Sequence, residues 1–233
     1  PKSAWSRRYP SDETNGCVLA MRSLVIKTDD GRIVLVDNGA GNKHLKQLSY
    51  YRFFNLVDLG TELRNRGIQP EEITDVVLTH LHFDHCGYTT QKDESTGHLF
   101  LSFPNANHWV SRKQWENFLH PNALERDSYF IENMQAVADA NSLRLLDADT
   151  SICPTIELRL YDGHTPGQIV PYIHTEDRTF VFAGDVIPLV RYFVCSASNF
   201  FRNSTSAWAP SMGMALYTLA RRPPTDLWPF RLS

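Results

Sequence analysis

The sequence of 233 residues contains only four cysteines, and none of them lies in a paired motif such as Cys-x-x-Cys. Cys17, Cys86, Cys153 and Cys195 could form two disulfides in an exported protein, but a chain of this length buries a sizeable core without them. No run of 18 apolar residues occurs, so we predict no membrane span. The stretch from Lys2 to Ser11 lacks the apolar core of a signal peptide, and a cytoplasmic location is expected.

Positive charge is also scarce. The formal net charge is −3, and lysine and arginine form no cluster long enough for a phosphate-binding face. Binding to a polyanion needs such a face, so we predict no nucleic-acid partner. The content of 42% hydrophobic and 21% charged residues is typical of a globular protein. Because no repeat or linker is visible, we predict one domain over residues 1–233.

Histidine, in contrast, is concentrated in one place. The apolar run Ile73–Leu78 predicts a buried strand, and His80, His82, Asp84 and His85 follow it within six residues. Alternation along an extended strand end directs His80 and His82 to the same side, and a turn can bring Asp84 and His85 back towards it. Imidazole and carboxylate groups suit zinc, iron, manganese or nickel, so the residue types predict a metal site without choosing the metal.

Four motifs in order resemble those of one family. His-Leu-His-Phe-Asp-His at 80–85 matches the H-x-H-x-D-H signature of the metallo-β-lactamase-fold hydrolases. Residues 162–167 resemble the family's Gly-His-Thr-Pro-Gly motif, residues 180–185 resemble its strand ending in Gly-Asp, and residues 34–39 resemble its strand ending in Asp-x-Gly. The resemblance extends over about residues 17–190 and is strongest to the broad hydrolase group that includes acyl-homoserine lactonases.

This resemblance implies a fold and a set of metal ligands. The fold would be an αββα sandwich, an arrangement of two packed sheets with outer helices, with the metals at one edge between the sheets. The implied ligands are His80, His82 and His164 for a first metal, Asp84 and His85 for a second, and Asp185 between the two. The family's usual metals are two zinc ions per chain, and iron or manganese is also compatible with these ligands.

The implied chemistry is hydrolysis of a compact carbonyl compound. A metal held by neutral imidazoles lowers the pKa of bound water from ~16 to about 7, which provides a metal-bound hydroxide as the nucleophile. Asp84 is the candidate catalytic residue, since its carboxyl group could also protonate the leaving group. We expect a small-molecule ester or lactone as substrate, and the oligomeric state stays open.

Element predictions follow from the hydrophobic pattern. Two apolar runs, Val18–Lys27 and Arg32–Asp37, flank a turn signal and predict a hairpin. A helical pattern ends at Gly67, another begins at Ser111, and a second helical segment is predicted over Leu124–Ala140. Strands are further predicted over Ile156–Tyr161, from about Ile169 to His174, and over Thr179–Ala183, the first of them from clean alternation.

Three features of the sequence each allow two interpretations. Asp37 is either a partner that orients a ligand imidazole or an acceptor for amides of the Asn38-Gly39 turn. Cys86 is either a distant ligand or, as we favour, a small buried residue. The aromatic stretch Tyr50–Phe54 either packs on the core or forms an apolar wall over the substrate.

The tail, residues 191–233, departs from the family pattern. Two-metal members place a further histidine near the C-terminal end, whereas the last histidine of this chain is His174. Pro223-Pro224 and Trp228-Pro229 predict irregular chain. An incomplete C-terminus, a change of reading frame or a variant family branch would each produce such a tail, and the first two are favoured. The second site would then hold only Asp84, His85 and Asp185.

Two further function classes therefore stay open beside the hydrolase. One is an oxidoreductase similar to the single-iron sulfur dioxygenases, which share the fold and use two histidines and an aspartate. The other is an inactive, C-terminally incomplete member. The identity of the bound metal separates these classes, because iron with oxygen uptake indicates the first and partial metal occupancy without turnover indicates the second.

Overall fold

A computed structural model describes residues 11–187 and the backbone of residues 216–218. The described strands are β1 (Leu24–Lys27), β2 (Ile33–Val36), β3 (Asp75–Val77), β4 (Thr90–Lys92), β5 (Leu99–Leu101), β6 (Asn107–Ser111), β7 (Leu143–Leu146), β8 (Thr150–Cys153), β9 (Ile156–Tyr161), β10 (Gln168–His174), β11 (Thr179–Val181) and β12 (Leu216–Thr218). The described α-helices are α1 (Leu59–Arg64), α2 (Phe83–Cys86), α3 (Arg112–Leu119) and α4 (Gln135–Asp139).

The strands form two main sheets and a small hairpin. The first sheet has the order β12-β1-β2-β3-β6-β7, and the second is the antiparallel sheet β11-β10-β9-β8. The predicted hairpin is confirmed, because β1 and β2 pair antiparallel with Val25 opposite Leu35. Its turn contains Gly31 with φ of +85°, a conformation that glycine adopts without steric cost. The strands β3, β6 and β7 then add in parallel.

Alternation along β1 and β2 sends side chains to two different cores. Ile26 and Val34 lie on the face that packs against Ile156 and Ile169 of the second sheet. Val25 and Leu35 lie on the opposite face, in a core that also contains residues of α1, α3 and α4. The predicted sandwich is therefore confirmed as two packed sheets with helices on the outer face of the first.

The segment between Leu124 and Ala140 differs from the prediction of one helical stretch. It consists of the short 3-10 turns Arg126–Ser128 and Ile131–Asn133, followed by α4. The start of the segment is fixed by one side chain, because Asn122 Oδ1 accepts the backbone N–H groups of Leu124 and Glu125. Such local side-chain bonds compete with a continuous helix.

Strands β4, β5, β6, β7 and β8 were not predicted from the pattern. Each has only three to five residues, which is too short for a clear periodicity. The strand over Ile156–Tyr161 is confirmed with its predicted bounds. Among the described residues, no helix has the length and apolar character that crossing a bilayer requires.

The tail is only partly described. Leu216–Thr218 pair antiparallel with β1 at the edge of the first sheet. The irregular chain predicted at Pro223-Pro224 and Trp228-Pro229 lies outside the described residues. A single domain over residues 1–233 stays a prediction.

Candidate metal centre

The turn between β3 and α2 carries the first part of the site. The side chains of Leu81, Phe83 and Cys86 are buried and anchor the turn in the core. His80 and His82, which alternate with them, are turned to the other side and are 0% and 8% exposed. The second sheet joins here, since the Ile169 N–H donates to the Thr79 carbonyl oxygen at 2.8 Å.

Three ring nitrogens converge in this part of the site. His82 Nδ1 lies 3.1 Å from His80 Nε2 and 3.1 Å from His164 Nε2. One ring nitrogen carries either one proton or one lone pair, so hydrogen bonding satisfies such a triangle poorly. A cation between the three lone pairs would satisfy all of them, and the residues fit a metal. These are the three ligands that the sequence predicted for the first metal.

Burial favours the ligand form of two of these side chains. Removal from water lowers the pKa of His82 to about 4 and that of His80 well below its usual value. Neutral imidazole with a free lone pair is the form that binds a metal.

A second group of ligand atoms lies beside the first. It consists of His80, His85 and Asp185. Asp185 Oδ2 is 3.6 Å from His164 Nε2 and 3.5 Å from His85 Nε2, so this oxygen lies between the two groups. This is the position expected of a carboxylate that bridges two metals.

Asp84 is at the rim of this arrangement. Its Oδ2 lies 3.7 Å from His85 Nε2, and its side chain is 36% exposed. Asp84 is in neither group of converging ligand atoms among the described residues. Its predicted roles as a ligand and as the catalytic acid stay predictions.

Asp37 braces the site from beneath. Its Oδ1 accepts the Thr79 N–H, and its Oδ2 accepts the Thr79 hydroxyl, each at 2.8 Å. Its Oδ2 also lies 2.7 Å from His85 Nδ1, which must donate because a carboxylate only accepts. Burial alone would lower the pKa of His85, but the charges of Asp37 and Asp84 raise it well above its usual value. Of the two interpretations of Asp37, the bond to His85 supports the orientation of an imidazole, and the role of His85 as a ligand stays a prediction.

His80 is held at its other ring nitrogen by two buried side chains. Thr79 Oγ1 lies 3.1 Å and Gln168 Nε2 lies 3.3 Å from His80 Nδ1. The amide assigned to Gln168 leaves its buried Oε1 without a partner among the described residues. Exchange of the amide nitrogen and oxygen would let Gln168 accept the His80 Nδ1 proton, which would leave Nε2 free to bind a metal.

Glu125 was missed by the sequence analysis. Its Oε2 accepts hydrogen bonds from Tyr129, Thr165 and Asn117, each at 2.8 Å, and lies 3.8 Å from His82 Nε2. Although burial raises the pKa of Glu125, these donors lower it to about 2. No local pattern marks the residue, because Thr165 is distant from it in the chain.

Cys86 is a small buried residue, as we favoured. Its side chain is 0% exposed, and its thiol donates to the Leu81 carbonyl oxygen at 3.3 Å. Burial raises the pKa of this thiol, which disfavours the thiolate that a metal would bind.

The aromatic stretch is mostly exposed. Tyr50, Tyr51 and Phe54 are 87%, 53% and 59% exposed, so the first of the two interpretations, packing on the core, does not hold for these three residues. Phe53 does pack against a small cluster that includes Phe83. The Tyr51 and Phe83 ring centroids are 5.1 Å apart, which places the exposed Tyr51 ring next to the metal-ligand turn.

Two packed sheets with converging histidines at one edge define the metallo-β-lactamase fold with a candidate two-metal centre. The predicted resemblance is confirmed, since residues 22–91 match the model of the metallo-beta-lactamase superfamily. An N-acyl homoserine lactonase of Bacillus thuringiensis is 27% identical over 114 residues, which are 49% of this chain and 38% of that relative. The aligned part thus spans less than half the length of this curated relative.

Solved structures show the same fold. A Staphylococcus aureus protein described as a probable metal-dependent hydrolase superposes with a TM-score of 0.71 and 27% identity, over 79% of this chain and 65% of that one. AidC, described as a dizinc quorum-quenching lactonase, superposes with a TM-score of 0.52 and 24% identity, over 69% and 54% of the two chains.

Proposed function

We propose that this protein is a zinc-dependent hydrolase of a lactone or ester. The convergence of His80, His82 and His164 nitrogens, two of them 3.1 Å from His82 Nδ1, is the observation that carries the proposal. Zinc is chosen because imidazole and carboxylate ligands suit it and because a protein of the same fold is described as a dizinc lactonase.

The proposed ligands divide into two sets. His80, His82 and His164 would hold one ion, and His85 with Asp84 would hold the other, with Asp185 between them. When bound, such ions supply Lewis acidity, which activates water and polarises a carbonyl oxygen. Asp37 would keep His85 Nε2 directed at its ion, because it holds the opposite ring nitrogen at 2.7 Å.

Asp84 is proposed as the proton donor to the leaving group. Its carboxyl oxygen Oδ2 is at the rim, 3.7 Å from His85 Nε2, and 36% of the side chain is open to solvent. A leaving alkoxide can therefore approach Oδ2 without displacing a buried residue. Asp84 would take up the proton that the attacking water loses and deliver it to the leaving alkoxide, which departs as the alcohol and returns Asp84 to the carboxylate.

The substrate class is proposed from the surface beside the site. Tyr51 and Phe54 are exposed, and the Tyr51 ring contacts Phe83, which lies between His82 and Asp84 in the chain. An apolar acyl chain would find contacts there. The relatives named as N-acyl homoserine lactonases support a lactone with an acyl side chain.

The first test is metal content. Elemental analysis of protein purified without chelators or added metal should find about two zinc ions per chain, as a two-metal site requires. A panel of acyl lactones and simple esters should then show turnover. One iron with oxygen uptake would favour the sulfur-dioxygenase alternative, and neither metal nor turnover would favour an inactive member.

The matched variants are His82→Ala and His98→Ala. His82→Ala removes the nitrogen shared by both short contacts, and turnover should fall by more than about 100-fold while the chain stays folded. His98 is exposed and distant from the ligands in the chain, so His98→Ala should retain turnover. Undiminished turnover of His82→Ala would overturn the proposal.

A further inference from the structure

Glu125 lies against two segments that carry ligands of the first group, the turn of His82 and the loop of His164, although it is in neither group of converging ligand atoms. The residue precedes the 3-10 turn Arg126–Ser128 in the segment between α3 and α4. Its Oε1 accepts from the Asn122 amide at 2.8 Å, and its Oε2 accepts from Tyr129, Thr165 and Asn117. The carboxylate is thus fixed in place by four donors.

The first connection leads to His82. Since His82 Nδ1 faces the nitrogens of His80 and His164, a neutral His82 ring that binds a metal there carries its proton on Nε2. This Nε2 is buried and makes no hydrogen bond with any described residue. Glu125 Oε2 lies 3.8 Å away, so a small rotation of the ring would bring the proton to the carboxylate.

The second connection leads to His164. Thr165, the next residue, is 1% exposed, and its hydroxyl donates to Glu125 Oε2 at 2.8 Å. This bond ties the loop that carries His164 to the same oxygen that faces His82. One carboxylate oxygen therefore faces the ring of one ligand and accepts a hydrogen bond from the residue next to another.

We propose that Glu125 is a positioning residue of the metal centre, which orients His82 through Nε2 and holds His164 through Thr165. This inference rests on the proposed metal-dependent function. Partners in this position orient the ligands and increase their basicity, and their loss typically lowers metal affinity 10- to 100-fold.

A purely structural role is the alternative, because Tyr129 and the two asparagines would also lose an acceptor. The two roles differ in what they affect. Loss of a structural brace lowers the free energy of unfolding of the metal-free protein. Loss of a positioning residue changes zinc affinity and the coordination geometry in protein that is still folded.

The experiment compares Glu125→Ala, Glu125→Gln and Glu116→Ala with wild type. Zinc affinity is measured by competition with a chromophoric chelator, and geometry by the visible absorption spectrum of bound cobalt(II). Glu116 is an exposed glutamate of the neighbouring α3, so Glu116→Ala is the matched control and should equal wild type.

Glu125→Ala should bind zinc about 10- to 100-fold more weakly and shift the cobalt spectrum. Glu125→Gln keeps an acceptor for Tyr129 and Thr165 and should recover most of the affinity and the spectrum. If Glu125→Ala does not fold, Thr165→Val, which removes only the hydroxyl, replaces it and should weaken zinc binding in the same direction.

The outcomes separate the two proposals. Wild-type protein that does not bind zinc rejects the metal centre and the role of Glu125 with it. Wild-type protein that binds zinc, together with a folded Glu125→Ala of equal affinity and unchanged cobalt spectrum, rejects the role of Glu125 alone.

Discussion

By chain segment, the candidate metal centre has a first part, the turn after β3, and a second part, the later segments that carry His164 and Asp185. The two parts differ in how deeply their side chains are buried. His80, His82 and His85 follow one strand, and the exposed fractions are 0% for His80, 8% for His82 and 12% for the His85 side chain. His164 and Asp185 come from two later segments, and their side chains are 37% and 29% exposed. The first part is formed by the core, whereas the second depends on loops that must be held against it.

The supports of the two parts differ accordingly. Beneath the first part, Asp37 is 1% exposed and accepts three hydrogen bonds from Thr79 and His85. In the loop of His164, the Ser111 hydroxyl donates to the Gly167 carbonyl oxygen and the Gly167 N–H donates to Asp162 at 2.9 Å. The bonds of Asp37 to Thr79 and of Ser111 are buried and costly to break because nothing replaces them, while water can replace the part-buried bond of Asp162.

The largest effect is expected at the buried brace. Asp37→Ala leaves three donors of Thr79 and His85 without an acceptor, and Asp37 has φ of +52°, which alanine tolerates poorly. The free energy of unfolding should fall by about 4 kcal/mol in a urea titration. Asp37→Asn keeps the shape and tolerates this backbone conformation, so it should lose about half as much. A loss below about 1 kcal/mol in Asp37→Ala would contradict the distinction between the two parts.

An intermediate effect is expected in the loop of His164. Gly167 has φ of +69°, and an added Cβ would lie 2.5 Å from Ser111 Oγ and 2.9 Å from Lys113 Cβ. Gly167→Ala should therefore lower the free energy of unfolding by about 2 kcal/mol and weaken zinc binding, because His164 moves with the loop.

Gly163 is the control on the other side of His164. An added Cβ at Gly163 meets no atom within 4 Å, so Gly163→Ala should change stability by less than about 0.5 kcal/mol. Equal losses in the two glycine variants would show that the loop responds to any change and not to this contact.

The smallest effect is expected for the pH dependence of folding stability that arises from His108, a buried histidine outside the candidate metal centre. His108 of β6 is 0% exposed, and burial lowers its pKa to about 4. Its unfolded pKa is higher, so the unfolded state binds more protons between pH 6.5 and 4. Wild-type stability attributable to His108 is therefore complete above pH 6.5 and falls by about 1.4 kcal/mol per pH unit towards pH 4.

His108→Gln removes this dependence. In urea titrations from pH 7 to 4.5, the stability of the variant should decline less steeply than that of wild type, and the difference isolates His108 from the histidines of the site. Parallel declines would show that His108 does not cause the acid sensitivity.

The fold was predictable where its cause is local. The hairpin of β1 and β2 follows from two β-branched runs around Asp29-Asp30-Gly31, and β9 follows from clean alternation. The prediction of one helical segment from Leu124 to Ala140 was wrong, because Asn122 Oδ1 takes the backbone N–H groups of Leu124 and Glu125, and such bonds compete with a continuous helix.

The spacing at one strand end by itself determined the metal-ligand turn with His80, His82, Asp84 and His85, whereas His164 and Asp185 were candidate ligands only through the resemblance to the family's motifs. Only the tertiary structure decided which oxygens brace these ligands. The sequence left two interpretations of Asp37 open, and the 2.7 Å contact with His85 supports one of them. The sequence suggested no role for Glu125, and only its contacts with Thr165 and His82 indicate one. Contacts between residues so distant in the chain produce no periodic pattern in the sequence. They arise from the packing of whole sheets and loops and not from local backbone geometry.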